Sequence, residues 1–498
     1  MYSLQRSLEQ WAAIDPQKIC VIEAETEKSI TYIHFLSSVY AIRELIGDSP
    51  RCIALALPGG ITSAVVWISA LTGGHTLIPL SPDAANLEKA RMAREYHPDI
   101  FIVEQEQDAQ GFACASAIVI TRQQCETLIE QDAQEFHESM PARAGQVCLH
   151  TSGSTGKAKG VMLQEQQIAW TAHHVSASHH LSARDTGLTV LPFFHVNAPV
   201  VSLCATVMSG STVVIARRFS RRNFWAYMER FHVTWASIVP AILALLLDTE
   251  KPAFLPGDIR FIRTASAPLP ASHLRAFEEK FGLPVVETYG LSEAASQVAA
   301  NPVPPGIHKA ASVGLPVGVS MRICHPLTGQ TADEQAWTDV EPGATGEICI
   351  RGPNVIQAYV GDVDQKSFQH GWFRTGDLGY QDHEGYVFIT GRLREVINRG
   401  GENIAPREIE EVLLDHPLVH EAAVVARPHA IYGEVVVAYI VTRRKTHASI
   451  QQQLHQYAAQ HLSPVKVPVD FIIVDTLPRT SSGKIARQVL REREVRNG

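Results

Sequence analysis

The chain has 498 residues, more than one hydrophobic core normally organises, so two or more domains are expected. A composition of 45% hydrophobic and 19% charged residues is ordinary for a globular protein, and a net charge of -8 argues against a general nucleic-acid binder. The eight dispersed cysteines form no C-x-x-C pair and have no histidine at zinc spacing, which favours buried, reduced thiols over a metal site. The start, Met1-Tyr-Ser-Leu-Gln-Arg, lacks a continuous apolar signal region, and the richest apolar stretch, 52–80, is broken by Pro58-Gly-Gly60 and Gly73-Gly74. No membrane span and a cytoplasmic location are expected.

From residue 52 short β-branched runs alternate with longer helical ones. Strands are predicted over 52–57, 76–80 and 100–103, with helices over 61–71 and 84–96 between them. The alternation resumes with strands at 186–191, 211–215 and 235–239 and helices at 200–208 and 224–231. Such a pattern predicts parallel strands joined by crossover helices. From 312 the texture changes to short strands and Gly/Pro turns, clearest at 346–351 and 385–390, which suggests a β-rich subdomain. After Gly391 the chain turns α+β, with helices at 406–414 and 447–462 and strands at 421–425, 435–441 and 469–474. The fold class expected is α/β: a large N-terminal domain of layered α/β subdomains plus a β-rich one, over 1–392, and a small mobile α+β domain over 393–498.

Four stretches carry chemistry. Thr151-Ser-Gly-Ser-Thr-Gly-Lys-Ala-Lys-Gly160 follows an apolar run and suits a polyphosphate, because glycines admit backbone N–H groups and lysines supply charge. It is not a Walker A loop: Gly153 and Gly156 are separated by only two residues, and Ala158 follows Lys157. Strand-like flanks favour an ordered hairpin loop over a flexible surface one. Glu287-Thr-Tyr-Gly-Leu-Ser-Glu293 ends a strand with an aromatic, a hydroxyl and a carboxylate, and by itself reads better as a strand followed by a Ser-capped helix. Trp372-Phe-Arg-Thr-Gly-Asp-Leu378 with Thr390-Gly-Arg392 offers an Asp to ribose hydroxyls, or merely a turn and a surface Arg. Leu477-Pro-Arg-Thr-Ser-Ser-Gly-Lys484 puts a lysine on a Gly/Ser loop, where it would ordinarily be just solvated.

In this order and spacing the four motifs resemble the adenylate-forming superfamily of acyl-CoA synthetases, peptide-synthetase adenylation domains and luciferases. The resemblance runs from about residue 25 nearly to the C-terminus and takes in Phe194-His195, Ala265-Ser-Ala-Pro268, Ser312-Val-Gly-Leu-Pro316 and Asn398-Arg-Gly-Gly-Glu-Asn403. It implies ATP, Mg²⁺ and coenzyme A as cofactors. Thr151, Ser152, Gly153, Ser154, Thr155, Gly156, Lys157 and Lys159 would hold the β- and γ-phosphates. Ser266, Ala267, Pro268, Glu287, Thr288, Tyr289, Gly290, Asp377 and Arg392 would complete the ATP site, Tyr289 against adenine and Asp377 on the ribose. Ser292 would contact the α-phosphate, Glu293 would ligate Mg²⁺, and Lys484 would bridge the carboxylate and the α-phosphate. The hinge falls at Arg394, where the superfamily usually has Asp or Lys, and Gly400 and Gly401 would approach the thiol tunnel.

Further spellings, including Leu149-His-Thr-Ser-Gly153, Pro192-Phe-Phe-His-Val196 and Ile397-Asn-Arg-Gly-Gly401, resemble the oxalate–CoA ligase branch and neighbouring small-acid ligases. Two positions depart from the oxalate pattern: Asn197 and Ser296 stand where those enzymes tend to carry histidines. The acyl pocket implied is His195, Asn197, Trp235, Ser266, Ala294, Ser296 and Gln297, whose hydroxyls and amides favour a short polar acid over a long fatty chain. For His195 the alternative is a packed core histidine. The function expected is ATP-dependent ligation of a small carboxylic acid to CoA. The alternatives are loading of a phosphopantetheinyl carrier protein, a binding protein with a decayed site, and a luciferase-type oxygenase.

Overall fold

The computed structural model describes residues 2–112, 117–131, 140–151, 159–252, 257–326, 337–361, 365–443, 450–480 and 484–497. The architecture is α/β, with two large sheets, a β-rich subdomain and a C-terminal α+β domain. In the nine-stranded sheet the strands Ile19–Glu23, Thr212–Ile215, Thr186–Thr189, Trp235–Ile238, Phe261–Thr264 and Val285–Leu291 run parallel. Helices return the chain between most of them, as the alternating pattern requires. At one margin Ser296–Ala300 and Leu315–Pro316 continue the sheet antiparallel. The six-stranded sheet centres on Cys52–Ala56, flanked in parallel by Thr76–Pro79 and Ile100–Val103. It closes on the antiparallel hairpin of Gln146–Thr151 and Lys159–Gln164.

The predicted helix over 200–208 is split. Asn197–Cys204 is a π-helix and only Ala205–Ser209 is α. Pro199 lies within the first turns of the wider segment, which lies in a wholly buried run. The strand expected at 385–390 runs instead over Val387–Arg392, so it ends two residues before the predicted hinge. The helix Pro406–Leu414 has the predicted bounds, with its Pro at the first turn. The described cysteines are all free thiols, and all but Cys52 are buried. No described helix is long and apolar enough to cross a membrane.

The buried apolar clusters divide along the chain. The largest draws on residues from Leu4 to Val387, whereas the clusters around Val436 and Val437 use only residues from Ile397 onward. No cluster mixes the two sets. A polar contact joins them: Arg407 Nη1 donates to the Ile389 carbonyl.

The strand Val285–Leu291 carries the site's most constrained backbone. Its pairing with Ser296–Ala300 shifts register between Tyr289 and Gly290, and a Cβ on Gly290 would fall 2.0 Å from the Ser296 carbonyl oxygen. Only glycine fits that approach. Ala295 and Ser296 follow at φ 54° and 100°, in the left-handed region. Beside them Glu287 is buried, and its Oε1 accepts the Leu269 N–H, fixing the segment after Phe261–Thr264. Burial pushes this carboxyl up to about 7, against the opposing pull of Arg407 and the Leu269 N–H.

Folded Glu287 thus keeps a proton that the unfolded chain releases near 4.5, so its contribution to stability is complete below that pH and is lost as pH rises to about 7. Glu287→Gln removes this titration. The thermal midpoint of the wild type, relative to the variant, should fall between about pH 5 and pH 7 and then level off. A difference independent of pH would show that Glu287 titrates normally.

Candidate active site

Three sheet edges and one C-terminal loop converge on the site. Antiparallel pairing of Trp372–Gln381 with Val387–Arg392 sets Asp377 directly opposite Arg392, and their side chains form an ion pair at 2.9 Å. From the nine-stranded sheet the Tyr289 hydroxyl donates to the other oxygen of Asp377 at 2.6 Å. Asp377 is buried at 5% exposure, so two donors on one carboxylate are what let it stay there. The charge of Asp377 holds the Arg392 guanidinium above even its usual range, and burial beside that carboxylate keeps the Tyr289 phenol well above its own.

Glu293 lies in the 3₁₀ turn Ser292–Ala294, half-buried, with Oε1 accepting the Tyr359 hydroxyl at 2.9 Å. The Lys159 ammonium stands 4.6 Å from the centre of the Tyr359 ring, linking the start of the strand Lys159–Gln164 to the same residue. Among the described residues no cluster of three acidic, His or Cys side chains could cage a metal. A single carboxylate suits Mg²⁺, which binds through one or two carboxylates together with substrate phosphates.

Lys484 comes from the C-terminal domain. The residue is exposed overall, yet burial of its ammonium holds it below the ordinary lysine range. Arg392 and Arg394 add to that depression, while Asp377 and Glu293 oppose it. The lysine therefore stands within electrostatic reach of both carboxylates of the site. It also reaches His195, which burial, aided by Lys484, pushes down to about 4. His195 is neutral at neutral pH, half-buried against Phe194, and its Nε2 has no hydrogen-bond partner among the described residues.

Other predicted residues take varied places. Ser266 is exposed at φ 76°, and its Oγ accepts from Asn197 Nδ2. Ala267 is half-buried and Pro268 exposed beside it. The Thr288 hydroxyl is spent on the Thr264 carbonyl. Ala294 is buried, its carbonyl taken by Asn354 Nδ2 and Thr171 Oγ1. Ser296 and Gln297 are buried, and Trp235 has no exposed surface, packing on Phe261 and His179 beneath the site. Gly400 and Gly401 form an exposed turn at φ 61° and 95°, with the Gly400 N–H bonded to Tyr432 of the same domain. Arg394 is exposed in the turn Leu393–Glu395. Ser152, Gly153, Ser154, Thr155, Gly156 and Lys157 lie outside the described residues, as does the side chain of Thr151.

The sequence reading missed Tyr359, Asn354 and Arg263. Tyr359 and Asn354 occupy no motif. Arg263 stands in an apolar strand immediately before Thr264-Ala265, and only the strand's alternation, which puts it on the same face as buried Phe261, marks it as internal.

The AMP-binding enzyme family model matches residues 8–360, and the AMP-binding enzyme C-terminal domain model matches 408–484. The chain belongs to the AMP-binding enzyme family. Among characterised AMP-binding relatives, sulfoacetate–CoA ligase of Cupriavidus necator is 41% identical over 68% of this chain and 65% of its own length. This chain thus spans less than two thirds of that relative. Oxalate–CoA ligase of Arabidopsis thaliana is 33% identical over 88% of this chain and 87% of its own. Two solved structures also superpose: ATP-bound MatB of Rhodopseudomonas palustris (TM-score 0.88, 26% identity, 99% of each chain) and Bacillus subtilis o-succinylbenzoate CoA synthetase with its acyl-adenylate intermediate (TM-score 0.82, 28%, 99% and 98%).

For an AMP-binding enzyme the Tyr289–Asp377 bond should support the nucleotide. Tyr289→Phe leaves the packing intact and removes one charge-assisted donor, so ATP binding measured by calorimetry should weaken about tenfold. Unchanged affinity would detach Tyr289 from nucleotide binding.

Proposed function

We propose that the chain is an ATP-dependent acid–CoA ligase that activates a short, polar carboxylic acid through an acyl-AMP and passes it to coenzyme A. One observation carries this reading: Lys484 stands among Asp377, Glu293, Arg392 and His195, where a carboxylate and a triphosphate would have to meet. The named relatives and the acyl-adenylate complex support the same chemistry, and the relatives' names favour CoA over a carrier-bound thiol.

A carboxylate is a weak nucleophile toward a triphosphate that repels it. Lys484 offsets the negative charge on both, and Glu293 would hold the Mg²⁺ that travels with the phosphates. Asp377 accepts the ribose hydroxyls and Arg392 supports it. Lys159 and the preceding loop hold the leaving pyrophosphate. The carboxylate oxygen bonds to the α-phosphorus as the bond to the β-phosphate bridge breaks, giving acyl-AMP and pyrophosphate. His195, neutral and beside the lysine, can donate or accept one hydrogen bond to the acid without adding charge. A thiol then attacks the acyl carbon and AMP leaves. In the second step residues 393–498 turn about Arg394, which withdraws Lys484 and brings the Gly400–Gly401 turn toward the thiol.

The test is a panel of acids assayed for ATP-dependent pyrophosphate release, with and without CoA. Short polar acids should release pyrophosphate, long alkyl acids should not, and thioester should form with free CoA. Release of ADP and phosphate would exclude adenylation. Thioester formed only on a carrier protein would exclude CoA.

A further inference from the structure

A buried carboxyl of the large domain has its positive charge supplied by the C-terminal domain. Glu287 lies in the strand Val285–Leu291 at 2% exposure, two residues before Tyr289. Its Oε1 accepts the Leu269 N–H at 3.4 Å, and its Oε2 has no hydrogen-bond partner among the described residues. Burial raises this carboxyl to about 7, Arg407 is the strongest influence against the rise, and Glu411 adds weakly to it. Both charged residues stand on the helix Pro406–Leu414 of the C-terminal domain. From its own domain Glu287 receives the Leu269 N–H.

Arg407 also bonds across the boundary. It is 7% exposed, and its Nη1 donates at 2.7 Å to the Ile389 carbonyl, on the strand Val387–Arg392 that leads to the hinge. Its Nε donates to Glu411 at 2.8 Å, which fixes the guanidinium from its own helix. It makes no hydrogen bond to Glu287, so its charge acts through the protein interior, where screening is weak. When residues 393–498 turn about Arg394, Arg407 leaves with them and the Ile389 bond breaks. The apolar side chains around Glu287 in the chain and at its partner loop, Val285, Tyr289 and Leu269, belong to the core of the large domain and stay.

We propose that Arg407 is the positioning residue that holds the domain bearing Lys484 in the acyl-AMP-forming orientation, and that Glu287 takes up a proton from solvent when it is released. This rests on the ligase reading above and its two orientations. With Arg407 in place the carboxyl titrates near 7, and without it the titration moves higher. Between those two values the released orientation binds more protons, so rising pH favours the orientation of this structure. Below both values the carboxyl is neutral in either orientation, and its preference vanishes. The proton returns to solvent when the domain swings back.

Each half-reaction is followed from about pH 6 to about pH 9, using the acid that releases most pyrophosphate in the panel above and its acyl-AMP supplied directly. Glu287→Gln cannot titrate and serves as the reference at each pH, so ionisation of the CoA thiol cancels. Thioester formation from supplied acyl-AMP by the wild type, relative to Glu287→Gln, should fall about tenfold as pH rises from about 7 to about 9. Arg407→Gln keeps a donor for the Ile389 carbonyl but no charge. It should flatten this profile and slow acyl-AMP formation relative to thioester formation, and Arg407→Lys should restore the profile. A merely structural Arg407 would change stability and leave the pH dependence alone. A wild-type profile that is flat or rises with pH, or one that Arg407→Gln leaves unchanged, would overturn the inference and leave the ligase reading standing. Pyrophosphate from no acid at all would overturn both.

Discussion

Asp377 faces Arg392 because two antiparallel strands pair in one register, and the rest of the site hangs from that pair. A one-residue slip of either strand would turn its member of the pair to the opposite face. The Tyr289 hydroxyl completes the arrangement from a different sheet, so the nucleotide side of the nine-stranded sheet and the β-rich subdomain are tied through one carboxylate. Arg392 is also the last residue before the turn Leu393–Glu395, beyond which the C-terminal core begins. The ribose site and the pivot of the proposed domain rotation are therefore neighbours in the chain. Arg392 is held by its ion pair, and the proposed rotation would begin just beyond it.

Charge is distributed with a clear asymmetry. Lys484, Arg392 and Arg394 crowd the mouth, and their mutual repulsion acts with burial to hold Lys484 below the usual lysine range. Glu293 and Asp377 oppose the effect without cancelling it. Such a cluster of cations gains most when anions enter, which is the condition for binding a triphosphate and a carboxylate together. Arg263, buried in the strand Phe261–Thr264, donates instead to neutral oxygens of Gln297, Asn197 and Ser237.

Much of this was legible in the chain. Alternation of apolar runs predicted the parallel sheets, and Pro406 marked a helix start that the structure keeps. Asp377, Arg392, Glu293, Tyr289 and Lys484 stand in motifs whose order and spacing carry the family resemblance, although each motif alone has an ordinary reading. What escaped depends on tertiary register. Arg263 reads as one polar residue in an apolar strand, and its partners Asn197, Ser237 and Gln297 come from three distant elements. The π-helix at Asn197–Cys204 is invisible to a periodicity argument that assumes 3.6 residues per turn. Trp235, expected in the acyl pocket, has no exposed surface and stacks on Phe261.

The central claim is that one lysine from the C-terminal domain serves acyl-AMP formation and is withdrawn for thioester formation. Lys484→Ala, assayed separately in each half-reaction, tests it most directly. ATP-dependent acyl-AMP formation should fall about a hundredfold or more, while a supplied acyl-AMP is still converted to thioester at close to the wild-type rate. An equal loss in both half-reactions would contradict the two-conformation account.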